Sequence, residues 1–281
     1  MASFTNYATL RYGGVTVTSN TVTGTLPDAL VLTKTPVNGV YVPGGTVTYL
    51  LSLVNPGETE LTGLTLTDDL GGYVFGEETL YPLAYMPDSL QMLVNGLPQA
   101  APAAAPGPPL VISGITVPAG GTVILAYEAR ATDFAPLAQG REIINTAEVG
   151  GLPVPVTASA SVTPEEAADL RITKDLAMEE ARLPGEITYT FTIENLGSVP
   201  AAAAEAVVLE DLFRPALSGL RASRDGVPWT LGTDYTYEEG TGLFASLPGA
   251  ITVPAAEYAQ DENGVWTITP GQTVVTVTGN I

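Results

Sequence analysis

Two stretches of this chain are versions of one another. "LVLTKTPVNGVYVPGGTVTYLLSLVNPGETELTGLTLTDDL" (30–70) lines up with "LRITKDLAMEEARLPGEITYTFTIENLGSVPAAAAEAVVLEDLF" (170–213). The anchors are Lys34 with Lys174, Pro43-Gly44 with Pro184-Gly185, Tyr49 with Tyr189, Asn55 with Asn195, and Asp68 with Asp211. Farther on, "TVPAGGTVILAYEARA" (116–131) matches "TITPGQTVVTVTGNI" (267–281). A repeat of this length is one domain present twice, so each copy has to solve the same burial problem with the same parts.

The parts are strands. "TVTYLLSLV" (46–54) and "ITYTFTI" (187–193) alternate at period two or near it, and 30 Gly and 23 Pro punctuate the chain before any helical periodicity builds up. An all-β chain is predicted, with two tandem immunoglobulin-like β-sandwich domains (27–163 and 164–281) preceded by an N-terminal donor hairpin (1–26). The Pro/Ala-rich "LPQAAPAAAPGPPL" (97–110) is expected to be a surface loop of the first domain.

The two copies differ in extent. The first continues into "REIINTAEVGGLPVPVTASASV" (141–162), which reads as a hairpin turning at Gly150-Gly151, and the second reaches Ile281 with nothing corresponding. Yet the chain opens with "FTNYATLRYGGVTVTSNTVTG" (4–24), of the same form: Asn-x-Ala, a strand, Gly-Gly, then a Val/Thr strand. The phase agrees, since Asn6 lies 28 residues before Lys34 and Asn145 lies 29 before Lys174. Three readings follow. An extra hairpin beside a shorter second domain leaves open sheet edges and an uncovered core. A hairpin folded back into its own second domain is limited by the Gly24–Leu30 segment, which spans at most ~20 Å, whereas one compact domain of this size is roughly 35 Å across. A hairpin placed in the second domain of a neighbouring subunit is strand donation, a head-to-tail contact that propagates into a filament unless it closes a ring. On this last reading the chain's partner is itself. Phe4, Leu10, Tyr12, Val15 and Val17 are then the side chains expected to enter the acceptor core. At ~1.5–3 kcal/mol each they contribute roughly 7–15 kcal/mol gross, an upper bound before ordering costs.

Alternation also puts polar groups on inner faces. Leu30, Leu32 and Lys34 share a face, as do Leu170, Ile172 and Lys174. Leu64, Leu66, Asp68 and Leu70 share another, matched by Val207, Leu209, Asp211 and Phe213. Ile143, Asn145, Ala147 and Val149 share a third, matched by Phe4, Asn6, Ala8, Leu10 and Tyr12. Burial disfavours charge, lowering the pKa of an amine and raising that of a carboxyl. A neutral amine is a nucleophile, and a protonated carboxyl polarises an adjacent carboxamide. Attack of such a lysine on an asparagine side chain releases ammonia and leaves an isopeptide bond. A buried Lys–Asp ion pair with a hydrogen-bonded Asn satisfies the same groups without chemistry. The residue pattern leaves both open.

Other functions fare worse. With 30 acidic against 10 basic residues and a net charge of −20, nucleic acid and anionic membranes are poor partners. There is no Cys and no His, which removes disulfides, thiolate metal sites, cysteine nucleophiles and the commonest general base. No cofactor, no metal and no enzyme activity beyond self-cross-linking are expected. Glu77-Glu78, Glu179-Glu180, Glu238-Glu239 and the "DENG" at 261–264 read as solvated loops and a turn rather than carboxylate pairs for sugar chemistry or a calcium site. Trp229 and Trp266 read as core or rim residues rather than a sugar platform. No run of 18 apolar residues occurs, and "MASFTNYATLRYGG" lacks a basic region followed by an apolar one. No membrane insertion and no signal peptide are expected, and Met1 favours a complete protein over a piece of a longer array.

"VPGGTVTYLLSLVNPGETELTGLTLTDDL" followed by "INTAEV" resembles the bacterial conserved repeat called domain of unknown function eleven. That repeat typically runs Lys, Gly-x-x-Val-x-Tyr, Asn-x-Gly, Thr-Asp-x-Leu, then Asn-x-Ala-x-Val. The resemblance covers nearly the whole chain as two copies. It implies immunoglobulin-like modules of bacterial surface proteins and spore appendages. Through related pilin and adhesin sandwiches it also implies self-formed Lys–Asn isopeptide bonds with an acidic catalyst. Carried over by position, Lys34 joins Asn145 with Asp68 as catalyst, and Lys174 with Asp211 joins Asn6 of another subunit. The second copy departs from the pattern, with Glu210-Asp211-Leu212-Phe213 where Thr-Asp-x-Leu is usual. The implied role is the structural subunit of an extracellular or spore-surface filament. The alternative is a monomeric adhesin or stalk spacer, which is expected to contain whole repeats.

Overall fold

In Thr46–Val54 (β7) every second side chain, Val47, Tyr49, Leu51 and Leu53, is completely buried, so this strand lies with one face on a core. The computed structural model describes residues 2–26, 30–178 and 185–281. It is all-β, and it divides into one unit of residues 1–136 with 142–163 and a second of residues 137–141 with 164–281.

Unit 1 is a sandwich of two antiparallel sheets. One runs β13 (Leu97–Gln99), β12 (Gln91–Val94), β16 (Thr122–Ala131), β7, β5 (Val31–Pro36), with β11 (Leu83–Tyr85) also on β16. The other runs β14 (Ala103–Ala105), β15 (Leu110–Val117), β8 (Leu61–Asp68), β17 (Ile143–Gly150), β18 (Val156–Pro164), β6 (Val40–Tyr41). A small hairpin, β9 (Tyr73–Phe75) with β10 (Glu78–Leu80), stands apart from both. Between the sheets lies one contiguous core that includes Leu32, Tyr49, Leu51, Leu66, Ile112, Tyr127, Ala147 and Val149. The stretch 97–110 is not all loop. Asn95 and Gly96 both take positive φ and close a two-residue turn between β12 and β13, and Ala103–Ala105 joins β15. Both strands are sheet edges, where proline is tolerated and pairing needs only backbone, so they left no alternation to read.

Unit 2 repeats the first sheet as β19 (Leu170–Met178), β20 (Glu186–Asn195), β28 (Gly271–Asn280), β22 (Ser218–Arg224), β23 (Val227–Pro228). Register is kept: Lys174 pairs with Phe191 as Lys34 pairs with Leu51. The facing sheet is smaller, β21 (Glu210–Leu212), β25 (Leu243–Ser246), β24 (Tyr235–Glu238), and a separate hairpin joins β26 (Glu257–Gln260) to β27 (Trp266–Thr269). Phe191, Phe213, Phe244 and Val277 form its core.

The first residues form one long hairpin: β1 (Ala2–Asn6) pairs β4 (Val22–Leu26), and β2 (Thr9–Tyr12) pairs β3 (Val15–Thr18). Gly13 and Gly14, with φ of 52° and 83°, make the tight turn. A bulge sets Tyr7-Ala8 against Ser19–Thr21, where the Ala8 N–H donates to Ser19 Oγ.

The repeated Asn-x-Gly is a loop clamp. Asn55 Nδ2 donates to the Thr59 and Pro118 carbonyls at 2.8 and 3.0 Å, and its Oδ1 accepts the Gly57 N–H. Asn195 does the same with Val199, Pro254 and Gly197. Both are fully buried, so removal strands several backbone groups. Asn55→Ala is expected to cost unit 1 about 2–4 kcal/mol in urea unfolding, and Asn195→Ala the same in unit 2. A loss below about 0.5 kcal/mol would contradict the clamp.

Candidate functional site

β5 and β17 belong to opposite sheets of unit 1 and meet across its core. Lys34 reaches inward from β5 and places Nζ 2.7 Å from Asp68 Oδ2, with both side chains entirely buried. Nζ also sits over the Tyr49 ring, 4.9 Å from its centroid. Asp68 ends β8, and its Oδ1 accepts the Leu70 N–H at 3.1 Å where the chain turns out of the strand. The following Gly71 has φ of 70°, and a Cβ there would come within 2.5 Å of Ile143 on β17. The turn thus brings β17 close beside the acid. Asn145 is fully buried two residues along, and Ala147 pairs directly with Asp68.

One group joins these parts. The Tyr127 hydroxyl, on β16, donates to Asp68 Oδ2 at 2.6 Å and accepts from Asn145 Nδ2 at 3.1 Å. Its ring stacks on Tyr49 with centroids 5.6 Å apart. Burial, with Asp68 next to it, pushes the Tyr127 hydroxyl well above its usual pKa, so it stays a neutral phenol. Burial also lowers Lys34, outweighing the opposing pull of Asp68. Asn145 Oδ1 is buried without a hydrogen-bond partner among the described residues. Alternation on β5, β8 and β17 had marked Lys34, Asp68 and Asn145, and the structure brings all three to one point. Tyr127 was missed. The signal was its place on the inner face of a repeated strand, opposite Tyr49.

The second site is built alike but lies open. Lys174 Nζ pairs with Asp211 Oδ2 and sits 4.5 Å from the centroid of Tyr189, with Phe191 and Phe213 each at 5.3 Å. The Lys174 side chain is 41% exposed, however, where that of Lys34 is wholly buried. Expected inward residues beside it are bare: Ile172 is 54% exposed, against 7% for Leu32. The difference lies in what covers them. Unit 1 closes over β5 with β17 and β18, and the described residues of unit 2 hold no counterpart of that pair. Among the described residues β21 is bonded to β25 along one edge only, whereas β8 has β15 on one side and β17 on the other. Register also places Val277 where Tyr127 stands, each opposite the tyrosine of its neighbouring strand.

The hairpin residues that resemble β17 and β18 are uncovered. Asn6 and every described side chain from Thr5 to Thr23 is exposed, with Leu10 at 64% and Tyr12 at 61%, and Val15 and Val17 are exposed likewise. The side chain of Phe4 lies outside the described residues. So do Glu179 and Glu180. Glu77 and Glu78 are exposed at a turn, and Glu238 and Glu239 take hydrogen bonds from Thr241 and the Gly219 N–H. Asp261 Oδ1 accepts the Asn263 and Val265 N–H groups, closing a turn. Trp229 stacks on Tyr235 against the unit 2 core, and Trp266 lies half-buried in β27.

No protein-family model matches the chain, and no curated protein matches it. Among solved structures, the major pilin subunit of Bacillus cereus is similar at 14% identity and a TM-score of 0.37, over 96% of this chain and 73% of that one. The pilus backbone protein of Streptococcus pneumoniae is similar at 12% identity and 0.33, over 83% and 53%. The sporulation control protein of Bacillus subtilis is similar at 12% and 0.29, over 78% and 89%. Likenesses at these scores do not establish kinship, and the sandwich architecture rests on the strand pairing itself.

The lowered Lys34 pKa has a consequence for stability. The unfolded lysine holds its proton up to about 10.5, while the folded one releases it at lower pH. Between those values the unfolded chain binds more protons, so folding is favoured as pH rises. In Asn145→Ala, urea unfolding of unit 1 is expected to grow harder as pH rises toward 10.5 relative to Asn145→Ala/Lys34→Met. An identical pH dependence in the two variants would contradict the shift.

Proposed function

We propose that this chain is the structural subunit of a surface filament that polymerises head to tail, each subunit laying its N-terminal hairpin into unit 2 of the next. One observation carries the reading. The inner face of β19 is bare where β17 and β18 cover its counterpart, and a hairpin of the same motif stands uncovered in the same chain. The occupant is therefore a second copy of this chain. Transposing the unit 1 register sets Ala8 opposite Asp211, as Ala147 is set opposite Asp68, and brings Asn6 to Lys174 as Asn145 is brought to the Lys34 site. The contact is heterologous, so it propagates.

The same reading makes the lysines reactive. Lys34 attacks Asn145 Cγ inside unit 1, and Lys174 attacks Asn6 Cγ of the incoming hairpin. A new C–N bond forms, the Cγ–Nδ2 bond breaks, and ammonia leaves, with Asp68 or Asp211 moving protons. The buried ion pair of unit 1 is consistent with this as a reactant state. Setting the filament at a cell or spore surface follows from the motif resemblance.

Removing residues 1–24 is expected to leave unit 1 folded and to abolish polymers in electron micrographs and light scattering. Filaments from the truncated chain would refute strand donation. Wild type that stays monomeric at all concentrations would favour the stalk-spacer reading. Asn6→Ala is expected to assemble still, but to fall to monomers in hot detergent. Polymers of that variant that survive hot detergent would remove Asn6 from the junction.

A further inference from the structure

The unit 1 cluster lacks a direct contact that its chemistry needs. Departure of ammonia requires a proton at Asn145 Nδ2, and the acid of the site is Asp68. Yet Asp68 spends Oδ1 on the Leu70 N–H and Oδ2 on Lys34 and Tyr127, while Asn145 Nδ2 is bonded to the Tyr127 hydroxyl. The four groups form one chain: Lys34 Nζ to Asp68 Oδ2 at 2.7 Å, Asp68 Oδ2 to Tyr127 at 2.6 Å, Tyr127 to Asn145 Nδ2 at 3.1 Å. A hydroxyl both accepts and donates, so it can hand a proton on without changing its own state.

We propose that Tyr127 is a catalytic residue of the Lys34–Asn145 cross-link, the proton relay between Asp68 and the departing nitrogen. The inference rests on the cross-linking reading of this site. Lys34 starts as an ammonium beside the Asp68 carboxylate. Its first proton passes to Asp68 and frees the lone pair, which attacks Asn145 Cγ. Tyr127 gives its hydroxyl proton to Nδ2 and takes one from Asp68, and Asp68 receives the second proton shed by the amine. The Cγ–Nδ2 bond breaks. One secondary amide, one ammonia, a protonated Asp68 and an unchanged Tyr127 remain, and no outside reactant is consumed.

The two repeats part at this residue. With Val277 in the Tyr127 position, the Lys174–Asp211 site has no such hydroxyl on β28. Lacking a relay of its own, it cross-links more slowly than unit 1.

The test follows ammonia loss by intact mass after refolding full-length chain kept unfolded since synthesis. Tyr127→Phe keeps the ring that stacks on Tyr49 and removes only the hydroxyl. It is expected to fold, by near-ultraviolet circular dichroism, and to form the unit 1 cross-link roughly 10²-fold more slowly or worse. If wild type loses no ammonia, the cross-linking reading itself fails. If wild type and Tyr127→Phe lose it equally fast, the relay alone fails. Should the variant not fold, the wild-type rate in mixed light and heavy water decides. A curved dependence on deuterium fraction is the relay's two protons in flight, and a straight line overturns it.

Discussion

An ammonium and a carboxylate placed between two apolar sheets survive only while strands on both sides keep water out and hydrogen bonds in. Unit 1 meets that condition by closing β17 and β18 over β5, which leaves Lys34 and Asp68 with no exposed side-chain surface. Such a pair contributes little net stability, because desolvation offsets most of the attraction, and an apolar pair of similar volume often does as well. Its retention in both repeats therefore asks for another reason than stability. The proposed chemistry between Lys34 and Asn145 is one such reason.

The same residues in unit 2 show what the condition means when it is unmet. Lys174 is held by Asp211 and by three aromatic rings, so its direction is already set, but Leu170, Ile172 and Leu176 beside it face solvent. At the other end of the sequence a two-stranded hairpin stands alone with Tyr7, Leu10, Tyr12, Val15, Val17 and Val22 exposed, an arrangement marginal in water. On the proposed reading, each of these two exposed surfaces covers the other in a neighbouring subunit. A net charge of −20 per chain works against such a contact and makes the proposed association salt-dependent.

Much of this was legible in the sequence because a duplicated domain supplies its own comparison. The constant offset from Lys34 to Lys174, Tyr49 to Tyr189 and Asn55 to Asn195 marks one strand pair and its loop clamp twice. Alternation then picks out Lys34, Asp68 and Asn145 as inward, and burial bears this out. Tyr127 escaped because a tyrosine on a core strand looks like any aromatic filler, and only distances reveal that its hydroxyl bridges an acid and an amide. The strands at 97–99 and 103–105 escaped because alanine and proline at a sheet edge carry no pattern. The β22–β23 hairpin, turning at Asp225-Gly226 as β12–β13 turns at Asn95-Gly96, escaped because these short strands lie outside the long matched segments and share only the turn and the proline after it.

Mass spectrometry of the assembled protein, taken intact in denaturant, tests the central claim most directly. The account predicts covalent chains of subunits, each subunit lighter by one ammonia from its own Lys34–Asn145 bond and each junction lighter by one more. Only free subunits of unaltered mass would contradict it, leaving the two lysine–aspartate pairs as ion pairs and nothing more.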